Sequence, residues 1–146
     1  MGAQHTKNRG EVMYFLDTNT CIYFLNNQFP HIRRRLERIS RSKIKIPSVV
    51  IAELYYGAEK SMKRKYNLSR YMQFATMYDI ITFGHEEARI YGLVRATLEK
   101  AGKVIGGNDL MIASIVLAHD AILVTGNVEE FSRVDGIHIE NWTQAQ

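Results

Sequence analysis

The feature that most restricts the fold is an alternation. Short apolar, strand-like runs near residues 13–16, 44–47, 80–83, 121–125 and 137–139 are interleaved with stretches of helical periodicity. This is the pattern of a parallel sheet whose strands are joined by helices. It predicts an α/β chain with a central parallel sheet of about five strands and helices on both faces. The first helix is expected to open around Thr18 and Asn19 and to run to about Asn26, and Pro30 suits the first turn of a second, basic helix. Ser48 is expected to cap a third helix running through Ala58, and a fourth covers roughly 65–77. The clearest helix, 86–100, repeats Ala88, Tyr91, Val94 and Leu98 at three to four residues and stops at Gly102. The segment from about 108 to 119 is apolar nearly all round, so it should be a central, buried helix.

Size and composition narrow the class further. A chain of 146 residues with 46% apolar content can bury one ordinary core without covalent staples. Cys21 has no partner cysteine, which excludes a disulfide scaffold and fits a reducing, cytoplasmic setting. No apolar run approaches the ~18 residues that a membrane span requires. Residues 1–12 are polar and read as a flexible extension or an appended remnant, 13–142 as one folded domain and 143–146 as a short tail.

The net charge of +4 is unevenly spread. Residues 31–70 hold twelve of the nineteen Lys and Arg and only three acids, a local charge of +9. Beyond Val104 the sign reverses, with Asp109, Asp120, Glu129, Glu130, Asp135 and Glu140 against Arg133. A basic flank beside an acidic pocket suits a polyanion cut at a metal site, although a solvated helix face accounts for a charge run equally well. Arg33, Arg34, Arg38, Lys63 and Arg64 are the candidate RNA contacts, and Tyr55, Tyr56, Tyr66 and Tyr71 lie near them as possible stacking platforms or core residues.

Four acids stand where carboxylates need a reason. Asp17 follows the apolar run 13–16, at the carboxyl end of the first strand, the edge where open α/β sheets bind ligands. Glu53 interrupts an apolar helical turn between Ala52 and Leu54, Asp109 heads the apolar helix, and Glu129 or Glu130 follows the strand ending at Thr125. Asp17 and Asp109 could be plain helix caps, and Glu53 an arginine partner. Taken together, clustered carboxylates repel one another unless a cation relieves them, and an all-oxygen set selects Mg²⁺ or Mn²⁺ over zinc. Such a site can activate water for phosphodiester hydrolysis.

The segments Phe15-Leu16-Asp17-Thr18-Asn19, Ala52-Glu53-Leu54, Gly106-Gly107-Asn108-Asp109 and Val124-Thr125-Gly126-Asn127, in this order and spacing, resemble the PIN-domain nucleases, most closely the VapC-type toxins of toxin–antitoxin pairs. The resemblance covers about residues 13–142. It implies a Mg²⁺- or Mn²⁺-dependent endoribonuclease that inhibits translation by cutting structured RNA such as a tRNA or rRNA loop. It also implies a homodimer and a small VapB-type antitoxin that pushes a basic side chain into the acidic pocket. Carried over by motif, Asp17 and Asp109 would be the main metal ligands. Glu53 would complete their shell or position water, and Asn19 and Thr125 would hold the acids or the scissile phosphate. The chain departs from the wider family at Asn127, where an aspartate is common, and this nominates Glu130 as the fourth acid. A non-toxin RNA-binding or RNA-processing module is the alternative on the same fold. A phosphotransfer domain using Asp17 would want an Asp-x-Asp motif or a late-strand lysine, which the chain lacks at those places.

Overall fold

The computed structural model describes residues 11–144. Most of the extension expected at residues 1–12, and the last two residues of the expected tail, lie outside them. Five strands, β1 (Tyr14–Leu16), β2 (Ile44–Pro47), β3 (Asp79–Ile81), β4 (Ile122–Val124) and β5 (His138–Glu140), form one sheet in the order β3-β2-β1-β4-β5. Every pairing is parallel, with Tyr14 beside Ile44 on one side and Ile122 on the other. The intervening helices are α1 (Thr18–Leu25), α2 (Pro30–Arg38), α3 (Ser48–Glu59), α4 (Arg64–Ala75), α5 (His85–Lys100), α6 (Gly107–Ala118) and the short α7 (Val128–Phe131). Right-handed crossovers put α1 to α4 on one face of this sheet and α5 to α7 on the other. The expected parallel α/β architecture is therefore present, with strands and helices near the predicted places.

The differences have local causes. Ser48 is the first residue of α3 and does not cap it. Pro47 holds the extended cap position, where its fixed φ suits a helix entry, and makes no side-chain bond. Asp17 caps α1, as one of its two sequence readings allowed, its carboxylate accepting the Thr20 N–H at 2.9 Å. On α5 only Glu87 and Leu98 are buried, while Ala88 is exposed. The helix lies on the surface of α6, not between layers. Strand β3 begins at Asp79, whose carboxylate takes the Lys45 ammonium at 2.7 Å across the edge of the sheet.

The core is what positions the chemistry. Phe15 and Leu16 of β1, Ile44 and Ile46 of β2, and Leu123 and Val124 of β4 are buried in one cluster with Leu110, Ile112, Ala113, Ile115 and Val116 of α6. Helix α6 runs antiparallel to the strands, so its amino end lies at their carboxyl edge. The order of connections reverses between β1 and β4, because β1 leads outward to β2 while β4 arrives from α6 on the other side. The crevice at such a switch point is where open α/β sheets place ligands.

Candidate active site

Four separate segments deliver the acids to that crevice. Asp17 leaves the end of β1, only 6% exposed, and its backbone N–H extends the sheet to the Val124 carbonyl. Thr125, fully buried at the end of β4, donates its hydroxyl to the second Asp17 oxygen at 2.5 Å. The Asn127 N–H in turn donates to the Thr125 hydroxyl at 2.9 Å. Both carboxylate oxygens of Asp17 are thus held. Burial nevertheless pushes this carboxyl above its ordinary value, against the lowering effect of Thr125 and Thr20, and the Glu53 charge raises it further.

Glu53 reaches the cluster from the second turn of α3. One carboxylate oxygen accepts the Thr18 hydroxyl and the other accepts the Asn108 amide at 3.0 Å, so α1 and α6 both grip it. Asp109 stands in the first turn of α6, where the helix dipole favours an anion. Its carboxyl is nonetheless pushed up to about 7, first by burial, then by a hydrogen bond with Glu130, then by the charges of Glu130, Glu53 and Asp17. Glu130, on α7, moves the other way. The Asp109 hydrogen bond lowers it most, assisted by the Asn127 amide at 2.8 Å, the Gly106 N–H and Arg133. Their contact thus pushes Asp109 up and Glu130 down.

This arrangement suits a hard divalent ion. Every donor on offer is oxygen, and the repulsion that raises Asp109 is what a cation would relieve. Among the described residues no three His, Cys, Asp or Glu side chains are arranged to hold an ion as they stand. The acids are held instead by hydroxyls and amides.

A PIN domain model matches residues 14–137. The chain belongs to the PIN-domain family. It is 41% identical to Ribonuclease VapC2 of Rickettsia felis over 132 residues, which covers 90% of this chain and 98% of that protein. It is 37% identical to the tRNA(fMet)-specific endonuclease VapC of Salmonella typhimurium, over 88% of this chain and 97% of that protein. Among solved structures it is similar to VapBC2 from Rickettsia felis bound to a DNA fragment from their promoter, with a TM-score of 0.84 at 40% identity, covering 90% of this chain and 99% of that one. It is likewise similar to DNA-bound VapBC from Salmonella typhimurium, with a TM-score of 0.85 at 37% identity over 90% and 98%.

In this PIN domain Asp17, Glu53, Asp109, Glu130, Thr125 and Asn127 meet at one crevice. Asn19 does not join their hydrogen bonds. It is exposed on α1, and its neighbours Thr18 and Thr20 take that place. Thr18, Thr20 and Asn108 had no assigned role in the sequence, because their partners lie across a helix turn or on another element. The basic flank is partly spent on the fold. Arg33 bonds Asn27 and stacks on Phe24, Arg34 meets His31, and Arg64 pairs with Glu59. Arg38 and Lys63 are exposed and form no ion pair among the described residues.

Proposed function

We propose that this chain is an endoribonuclease toxin of the VapC type that hydrolyses a phosphodiester of structured RNA with a divalent ion at the four-acid crevice. The observation that carries the reading is the convergence of Asp17, Glu53, Asp109 and Glu130 from four segments on one switch point, with Asp109 raised to about 7 by burial first and by its acidic neighbours second. The names of its relatives as ribonucleases and endonucleases support the same activity.

Asp17 and Asp109 would hold Mg²⁺ or Mn²⁺, with Glu130 beside them. A bound ion there supplies Lewis-acid stabilisation of the phosphoryl oxygens and a more acidic water. Thr125 keeps Asp17 oriented, and Asn127 holds Glu130 toward Asp109. Glu53, fixed by Thr18 and Asn108, is placed to orient the attacking water and accept its proton. Arg38 and Lys63 would hold phosphates without reading sequence. A tRNA or rRNA loop is the expected substrate class.

Because the solved relatives are VapBC complexes, a VapB-type antitoxin is the expected partner. A basic side chain entering the crevice would compete with the ion for the same carboxylates. A homodimer is the expected state of the free toxin. Among the described residues no helix is long and apolar enough to cross a membrane.

Two measurements test this reading. Purified protein, free of antitoxin, should cleave an RNA panel with Mg²⁺ or Mn²⁺ and stop when EDTA is added. The same ions, at a hundredfold excess over their dissociation constant, should stabilise the protein by about 2.7 kcal/mol in thermal unfolding. RNA binding that persists without cleavage under every metal tried would favour the binding-module alternative. For the basic flank, Arg38→Ala and Lys63→Ala should each reduce the slope of log affinity against log salt by about 0.7, the expectation for one phosphate of a single strand. Unchanged slopes would remove these two side chains from the RNA path.

A further inference from the structure

An open groove of about 600 Å³ adjoins the acid crevice and shares Glu53, Thr18 and Asn108 with it. It is lined by the small or apolar Val49, Ala52, Gly57 and Met111 together with Tyr56 and Lys60. A Cβ added at Gly57 would meet nothing within 4 Å, so the space beside Tyr56 is clear. Tyr56 is 65% exposed, unusual for a large aromatic side chain, and the Lys60 ammonium lies 4.6 Å from its ring centroid. Glu53, Tyr56 and Lys60 recur at three and four residues, which aligns them as one stripe along α3 leading away from the acids.

We propose that this groove seats one unpaired nucleotide next to the scissile phosphate, its base stacked on the Tyr56 ring and its phosphate on the Lys60 ammonium. The proposal rests on the nuclease reading of the adjoining crevice and adds a subsite to it. Three properties select a nucleotide as the occupant. The groove shares Thr18, Glu53 and Asn108 with the crevice, so a strand whose phosphate lies at Asp17 and Asp109 has an open path along it. An exposed ring offers a flat face to any base, the usual way single strands are held. The cation on that ring suits a phosphate, whereas Ala52, Gly57 and Met111 leave room for a planar group beside it. A loop nucleotide can splay into such a site, and a paired one cannot.

The test uses full-length protein carrying Asp109→Asn, so that RNA is bound without being cut. In that background Tyr56→Trp should give fluorescence that is quenched on titration with a short single-stranded RNA and unaffected by the same RNA in a duplex. Tyr56→Ala should weaken single-strand binding by about tenfold, Tyr56→Phe should restore it, and Lys60→Ala should lower the salt slope by about 0.7. In otherwise wild-type protein the Tyr56→Ala loss should fall mainly in KM. Equal affinity of Tyr56→Ala and wild type for single strands, with cleavage still dependent on Asp109, would overturn the subsite and leave the nuclease reading standing. So would a Tyr56→Ala defect confined to binding an antitoxin peptide. A wild-type protein that neither binds nor cleaves any RNA would overturn both.

Discussion

Asp109→Asn is expected to lower RNA cleavage by about 10²–10³-fold or more while making the metal-free protein more stable at neutral pH. The two effects come from one fact. Asp109 is raised from the usual carboxylate range to about 7, so ionising it costs the folded state energy that the unfolded chain does not spend. The cost is absent below about pH 4, where the group is protonated in both states, and complete above about pH 7, where it is ionised in both. The Asn side chain avoids the charge and can still donate to Glu130. After discounting for solvent screening of a partly open site, the gain is about 1–2 kcal/mol above pH 7. That corresponds to roughly 3–6 °C in Tm for a domain of this size. Thermal melts of both proteins from pH 4 to pH 8 without metal should diverge as the pH rises. Saturating Mg²⁺ should reverse their order by stabilising only the wild type. A variant that is less stable than wild type at pH 8 without metal would contradict the repulsion that underlies the site.

Trp142→Ala is expected to be strongly destabilising, at about 3–5 kcal/mol. Trp142 is 1% exposed and packs on Tyr14 of β1 with ring centroids 5.6 Å apart. The Arg35 guanidinium covers the ring at 4.9 Å and bonds Glu140 at 3.0 Å. The indole N–H donates to the same Glu140 oxygen at 2.8 Å. One side chain therefore ties the end of the chain to β5, to α2 and to the first strand. Trp142→Phe keeps most of the packing and removes the indole donor, so its cost should be nearer 1 kcal/mol. Chemical denaturation of the three proteins checks the ranking. The family match ends at residue 137, and a chain cut there would lose this tie. We propose that the folded domain extends to residue 142, and a Trp142→Ala protein as stable as wild type would count against that boundary.

Much of the fold was legible in the sequence because strand and helix periods depend only on neighbours a few residues apart. The apolar run before Asp17, the all-round apolar pattern of α6 and the glycines before Asp109 each report where the backbone must go. The acids were legible because a carboxylate interrupting an apolar pattern is costly, and Glu53 between Ala52 and Leu54 is such a case. Other features were not. The extent of β3 turned on its pairing with β2, and the capping of α3 on the backbone of Pro47. Helix α7, at four residues, is too short to show a period. The basic flank looked uniform along the chain, yet Arg35 is held by Trp142 and Glu140, and Arg70 by the α1 end at Leu25 and Asn26.

By itself the sequence determined that the chain makes a parallel α/β sheet and that acids gather at the carboxyl edge of its strands. Both follow from local patterns of apolar and polar residues. Thr125 was expected to hold an acid, but only the tertiary structure decided which acid each partner holds. Thr18 meets Glu53 across 35 residues, Asn108 meets it across 55, and Thr125 meets Asp17 across 108. Contacts at such separations are set by which strands adjoin, so the order β2-β1-β4 and the placement of α6 had to be in hand first. The same holds for the opposed shifts of Asp109 and Glu130. Burial and the contact between the two carboxyls create them, and neither is a property of a residue in isolation.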